Sequence, residues 1–85
     1  RAYPYYRSGG SYGGISFDIE PYDAAVYVDG EYYGIVSDFS PYEAPLTLPS
    51  GRHHIDIDVP GYSGLSFDVT ILPRQVIPYS GTIGR

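Results

Sequence analysis

The dipeptide Asp29-Gly30 lies between two short runs of alternating apolar and polar residues, and it constrains the fold more than any other feature of the chain. Asp-Gly in this setting is the strongest local signal for a β-hairpin, because a type I′ turn needs positive φ at both central residues. A two-residue loop also fixes which residues of the two strands face each other. We therefore expect Tyr27 opposite Tyr32 on the outer face, and Val26 opposite Tyr33 on the inner face.

Most of the remaining chain shows the same two-residue period, which is typical of half-buried β-strands. The chain contains eleven Gly and eight Pro, which favour turns, and eleven Tyr, which favour strands over helices. Ile35 and His53 are expected to face the core, and Pro78 predicts that the last run is an edge strand or is bulged. The predicted fold is all-β, a small antiparallel β-sandwich of about seven short strands with an extended N-terminal arm. The runs are 15–20, 24–28, 31–35, 46–48, 52–59, 65–71 and 75–83.

The first 14 residues, RAYPYYRSGGSYGG, differ in composition from the rest of the chain. They contain Arg1 and Arg7 and no acid, which gives a charge of +2, whereas residues 15–85 contain three Arg and ten acids, which gives −7. We therefore predict a Gly/Tyr-rich arm over residues 1–14 and a β-sandwich domain over residues 15–85. An acidic body repels phosphate groups, so nucleic acid is not an expected partner.

Two longer segments, AAVYVDGEYYG and APLTLPSGRHHIDIDVPGY, are followed by a strand, a turn and a final strand. Together they resemble the PEGA domain over about residues 18–84, with the Asp29-Gly30 turn and the Pro-Gly-Tyr at 60–62 among the matching positions. The PEGA domain is a small β-sandwich module common in bacterial and archaeal surface and envelope proteins. The resemblance implies a fold and a location, and it implies no catalytic residues.

The side chains that could support chemistry are few. Adjacent residues of a strand point to opposite faces, so His53 and His54 cannot bind one ion together. His54, Asp56 and Asp58 share a face, which could hold a weakly bound cation, but a solvated strand face is the simpler interpretation. The sequence has no Cys and no phosphate-binding loop, and it suggests no activated nucleophile and no zinc site. We expect neither a cofactor nor enzyme activity.

The chain begins at Arg1 rather than Met and has no apolar run near the ~18–20 residues of a membrane span. These features favour an exported protein that is extracellular or at the cell surface. The first functional hypothesis is a subunit that self-assembles into a fibre or surface layer, with the arm of one copy binding the body of the next. The residues assigned to this arm are Arg1, Tyr3, Tyr5, Tyr6, Arg7 and Tyr12.

The alternative hypothesis is a non-catalytic module that binds carbohydrate or cell-wall polymer. Tyr side chains combine a large apolar ring with a polar tip, which suits both sugar stacking and protein interfaces. Cross-strand packing that only stabilises the hairpin would explain the same residues. The exposed aromatic patch predicted for this role consists of Tyr27, Tyr32, Tyr22 and Tyr42.

Overall fold

A computed structural model describes residues 11–84 of the chain, which form seven β-strands and one short 3₁₀ helix. The predicted arm residues Arg1, Tyr3, Tyr5, Tyr6 and Arg7 lie outside the described residues. The all-β prediction is confirmed. The strands are β1 (Tyr12–Glu20), β2 (Ala25–Val28), β3 (Glu31–Ile35), β4 (Leu46–Pro49), β5 (Gly51–Asp58), β6 (Leu65–Ile71) and β7 (Val76–Thr82), and the 3₁₀ helix spans Val36–Phe39.

The strands form two sheets, with the orders β4-β1-β7 and β3-β2-β5-β6. β7 lies at an edge, as Pro78 predicted. One feature differs from the antiparallel arrangement expected, because β7 runs parallel to β1, with Gly14 beside Val76 and Glu20 beside Thr82. Hairpin turns impose antiparallel pairing on consecutive strands, but β1 and β7 are separated by five other strands. Their relative direction is therefore not set by any local turn.

The strand β1 begins at Tyr12, so the last three residues of the predicted 1–14 arm lie inside the sheet. The backbone N–H of Arg74 donates to the carbonyl oxygen of Tyr12 over 2.8 Å. The backbone N–H of Gly14 donates to the carbonyl oxygen of Gln75, also over 2.8 Å. Gly13 and Gly14 are both buried. Glycine has no side chain to add to an apolar pattern, and this explains why the sequence pattern places the start of the strand at Ile15.

The hairpin has the turn that the sequence predicts, with φ of 52° at Asp29 and 86° at Gly30. Tyr27 pairs with Tyr32 as expected, but Val26 pairs with Gly34 because the register shifts between Val26 and Tyr27. The prediction that Tyr33 faces the core is therefore wrong: it is 42% exposed. Ile35 is only half-buried.

Packing around Gly34 accounts for this bulge. Its φ is 141°, a value that L side chains rarely adopt. A Cβ atom at this position would lie 2.7 Å from Oδ2 of Asp38 and 3.5 Å from the ring of Phe39. The 3₁₀ helix thus occupies the space that a side chain at position 34 would need, and only glycine fits there.

The core fills the space between the sheets and is covered differently on its two sides. On the β4 side the 3₁₀ helix buries Val36, and Phe39 packs edge-on against Phe17 with ring centroids 6.5 Å apart. On the other side, β6 and β7 are both edge strands. The buried core residues are Ile15, Phe17, Ile19, Ala24, Val26, Val28, Val36, Leu46, Leu48, Ile55, Ile57, Ile71 and Ile83.

The side between β6 and β7 is only partly closed, and we call it the open seam. Its apolar side chains pack against the core but are half-buried, and Phe67 stacks on Tyr79 with ring centroids 4.2 Å apart. The residues of the open seam are Leu65, Phe67, Val69, Ile77 and Tyr79. Among residues 11–84, no helix has the length and apolar character needed to cross a membrane.

The placement of Gly13 in β1 predicts that Gly13→Ala destabilises the protein by about 1–3 kcal/mol. A Cβ atom there would overlap the carbonyl oxygen of Leu72 and lie 2.8 Å from Cγ2 of Ile71. Urea unfolding measures the loss. Gly81→Ala is the matched control, because nothing lies within 4 Å of its Cβ position, and we expect its free energy of unfolding to change by less than about 0.5 kcal/mol. Equal stability of the two variants would show that Gly13 is not held in the sheet.

Candidate functional site

The outer face of the four-stranded sheet carries the predicted tyrosine pair. Tyr27 and Tyr32 lie opposite each other on β2 and β3, and their rings pack edge-on with centroids 5.7 Å apart. Tyr32 is 58% exposed, whereas Tyr27 is half-buried, so only one ring of the pair is largely open to solvent. On the other side of Tyr27, the register continues to Asp56 on β5 and Ser66 on β6.

An ion cluster occupies the same face where β5 and β6 pair. His54 Nδ1 lies 2.7 Å from Oδ1 of Asp68, and its Nε2 lies 3.0 Å from Oγ of Ser66 and 3.4 Å from Oδ1 of Asp56. Arg52 donates to the other oxygen of Asp68 over 2.7 Å. The cluster thus links His54 and Arg52 to Asp56 and Asp68 across the strand pair.

Ser66, His54 and Asp68 are connected like a Ser-His-Asp triad, but their electrostatics are different. A triad needs a neutral imidazole that accepts the serine proton. Here carboxylates lie beside both ring nitrogens of His54, and the hydrogen bond to Asp68 raises its pKa, which favours the imidazolium form over the neutral base. The side chains of His54, Asp56 and Asp68 are also 47%, 42% and 45% exposed, so water reaches the cluster. The arrangement is an exposed ion cluster on a strand face.

Alternation along β5 predicts that His54, Asp56 and Asp58 form one cation-binding face. In the structure, the main partner of His54 lies on the neighbouring strand instead. His54 contacts Asp56 but makes its shorter bond to Asp68, a residue of the neighbouring strand β6. Within residues 11–84, no group of three or more His, Asp or Glu side chains is arranged to hold a metal ion. The pairing of His54 with Asp68 depends on the β5–β6 register, which a single-strand pattern does not contain.

Beside the ion cluster, the outer face forms an open groove of about 400 Å³. Tyr27 provides an aromatic wall, Asp56 and Asp58 provide carboxylates, and Gly64 and Ser66 form the opposite side. Aromatic surface with a few polar groups is the usual composition of a ligand site. The groove can therefore offer a ligand both ring stacking and hydrogen-bond acceptors.

The other two predicted tyrosines belong to a separate cavity. Tyr22 and Tyr42 line a cleft of about 270 Å³ between β1 and the loop after the 3₁₀ helix, and neither Tyr27 nor Tyr32 lines it. Tyr22 O–H donates to Glu20 over 3.2 Å, and this hydrogen bond raises the pKa of Tyr22. Tyr42 is 95% exposed. The four tyrosines predicted as one patch are thus divided between two sites, while Tyr12 lies in β1 and is 51% exposed.

His53 connects two corners of the fold. Its Nδ1–H donates to Oδ2 of Asp29 over 2.7 Å, and its Nε2–H donates to the carbonyl oxygen of Pro49 over 2.8 Å. The Asp29 carboxylate and the Pro49 carbonyl are both acceptors, so these contacts favour the protonated form of His53. The expectation of an inward His53 is met in part, because its side chain is 14% exposed.

The pKa values of these groups follow from their hydrogen bonds. The bond to Asp68 raises the pKa of His54, while burial would lower the pKa of His53 but is outweighed by its bonds to Asp29 and Pro49. The backbone N–H of His54 donates to Oδ1 of Asp29 over 2.9 Å and is the main cause of the lowered pKa of Asp29. Arg52 is the main cause of the lowered pKa of Asp68.

These shifts predict how stability depends on pH. A histidine whose pKa rises on folding stabilises the native state below its ordinary value of 6.5, and this contribution is lost as pH rises through the folded pKa. Asp29 and Asp68 contribute above their ordinary value of 3.8, and their contribution is lost as pH falls through their lowered pKa. The melting temperature should therefore be highest at a pH between the ordinary carboxyl pKa of 3.8 and the ordinary imidazole pKa of 6.5.

We predict that the melting temperature falls when the pH is raised from about 6 to about 9, because both imidazolium ions are lost. Differential scanning calorimetry measures the fall, and NMR titration of the imidazole protons gives both pKa values directly. The control is the His53→Gln, His54→Gln double variant, whose melting temperature should vary less over the same range. Imidazole pKa values at or below 6.5 in the folded protein would contradict the prediction.

Comparison with protein families matches residues 12–84 to the PEGA domain. The matched region begins at Tyr12, where β1 begins, and not at the residue near 18 suggested by the sequence motifs. A search of curated proteins finds no match. PEGA domains are small, non-catalytic β modules that occur in secreted or surface proteins. Since the match spans nearly the whole of the described chain, this protein belongs to the PEGA domain family.

Proposed function

We propose that this protein is a non-catalytic structural subunit outside the cell or at its surface, which self-assembles into a fibre or layer through its N-terminal residues. The separation of charge along the chain supports the proposal most directly. Residues 1–10 contain Arg1 and Arg7 and no acid, whereas residues 11–84 contain ten acids and only Arg52 and Arg74. A basic segment on an acidic body is complementary to the body of another copy.

The position of Ser11 in the fold also supports assembly between copies. The N–H of Ser50 donates to the carbonyl oxygen of Ser11 over 2.9 Å, and the two hydroxyls lie 3.1 Å apart. Ser11 is therefore held at one end of the sandwich, beside the β4–β5 corner. Ten residues can extend at most about 33–36 Å from this point, which is enough to reach along a neighbouring domain. Binding of one end of a copy to a different surface of the next creates a chain of subunits.

The test is deletion of residues 1–10, which leaves all of β1 intact. We expect the truncated protein to be a folded monomer, whereas the full chain forms polymers that sediment rapidly and are visible by electron microscopy. The Arg1→Ala, Arg7→Ala variant keeps the tyrosines, and its assembly should be weaker than that of the full chain and less sensitive to salt. A truncated protein that still polymerises would contradict the proposal, as would a full chain that stays monomeric at high concentration.

The groove beside the ion cluster favours a second candidate function, the binding of carbohydrate or cell-wall polymer. Its wall is the ring of Tyr27, and Asp56, Asp58 and Ser66 place oxygen atoms along it. A sugar ring can stack on an aromatic side chain while its hydroxyls donate to carboxylates. This function and self-assembly use different parts of the chain.

The second candidate predicts that a glycan array probed with the truncated protein gives a signal that Tyr27→Ala with Tyr32→Ala reduces at least about tenfold, the loss expected from one or two stacking contacts. Tyr42→Ala is the matched control, since Tyr42 lies in the separate cleft. Circular dichroism checks that each variant is folded. An array without signal, or equal loss in the control, would rule out this use of the groove.

A further inference from the structure

We propose that the edge strand β6 is the receptor for residues 1–10 of another copy, which add to it as an eighth strand. This inference rests on the proposed self-assembly and identifies the surface that would receive the arm. It follows from three properties of β6: the regularity of its free edge, the apolar residues that it leaves half-covered, and the charge of the face that it borders.

Among the described residues, four strands lie at sheet edges, and β6 is the most suitable for pairing. β3 has five residues and a bulge at Tyr33, and β4 has only four residues. β7 contains Pro78, which lacks the N–H that a ladder needs, and natural edge strands use proline to block further pairing. β6 has seven residues without Pro or Gly and pairs with β5 in unbroken register. It therefore presents a regular row of backbone donors and acceptors.

The open seam offers half-buried apolar side chains that an added strand would cover. The inward side chains Leu65, Phe67 and Val69 alternate along β6 and are all half-buried, although they face the core. On the opposite sheet, Ile77 and Tyr79 are half-buried at the same side. Packing of a further strand against β6 would cover these five side chains, as the 3₁₀ helix covers the β4 side. Burial of apolar surface is the main source of affinity in such contacts.

The sequence of the arm matches both faces of this edge. As a strand, residues 1–7 alternate, with Arg1, Tyr3, Tyr5 and Arg7 on one face and Ala2, Pro4 and Tyr6 on the other. The face with both Arg residues would lie beside the outer face of the sheet, where Asp56, Asp58 and Asp68 outnumber Arg52 and His54. The other face, with Tyr6, would cover the open seam. Pro4 would stop yet another strand from adding, so the contact joins copies one to one.

The arm that adds to β6 is assigned to a second copy because the proposed self-assembly requires it. Ser11 is bound to Ser50, next to Gly51, and Gly51 pairs with Ile71 at the end of β6. The same chain's arm therefore starts near its own β6, and binding of that arm is the alternative that the cross-linking below separates. In another copy, the β6 edge is about 23 Å long and within reach of ten extended residues.

The first experiment uses cross-linking of the full chain, which has no Cys of its own. One preparation carries Ser8→Cys in the arm, and a second carries Thr70→Cys on the outward face of β6. After mixing under assembly conditions, a short bismaleimide should give a covalent dimer of the two. The matched control replaces the second preparation by Ser80→Cys on β7, which should give at least about tenfold less dimer. Equal yields from the two partners would overturn the inference.

The second experiment alters the edge itself. Val69→Lys places an inward-pointing charge on β6, a device by which natural edge strands avoid pairing, and it should raise the concentration needed for assembly at least about tenfold. Val76→Lys is the control, because Val76 is 54% exposed on β7, and assembly should be unchanged. If Val69→Lys does not fold, the cross-linking result stands alone as the test.

The outcomes separate this inference from the proposed function. Arm-dependent assembly that is unaffected by Val69→Lys would overturn the β6 receptor and leave the assembly proposal intact. Assembly that persists without residues 1–10 would overturn both. A chain carrying both Ser8→Cys and Thr70→Cys that cross-links only within itself at assembly concentrations would show that the arm binds its own domain, which also contradicts the inference.

Discussion

The fold depends on one constraint: two small sheets must share an apolar core and cover it on both sides. No disulfide contributes, since the chain has no Cys, so burial of apolar surface is the main stabilising interaction. On one side the 3₁₀ helix meets this need with Val36 and Phe39. On the other side the open seam leaves Phe67 and Tyr79 stacked but half-buried. The two sides of the core are thus covered by different elements, a 3₁₀ helix on one side and two edge strands on the other.

The polar interactions hold the ends of the strands in place. Asp29 forms the hairpin turn, and its carboxylate also accepts bonds from His53 and from the backbone of His54. His53 extends this link to Pro49, the last residue of β4, and so ties the four-stranded sheet to the three-stranded one. The most distinctive sequence motif of the chain thus has a structural role. This role agrees with membership of a family of non-catalytic modules.

Local sequence patterns predict the features that arise from adjacent residues. The Asp29-Gly30 turn, the all-β class and the edge position of β7 could all be predicted because turn chemistry and alternation are local. The bulge at Tyr33 could not, since it depends on how Asp38 and Phe39 pack against Gly34. Pairings between distant strands were missed for the same reason, including the parallel β1–β7 pair and the contact of His54 with Asp68. The four tyrosines share a residue type, but their strands and loops place them in two separate sites.

Amide hydrogen exchange of the full-length protein, followed by mass spectrometry below and above its assembly concentration, tests the central claim most directly. The claim is that the β6 edge and the open seam are where copies join. Exchange should then slow along Leu65–Ile71 on assembly, while the edges β3 and β4 change little. Unchanged exchange in β6, or slowing confined to another edge, would contradict this account of the structure.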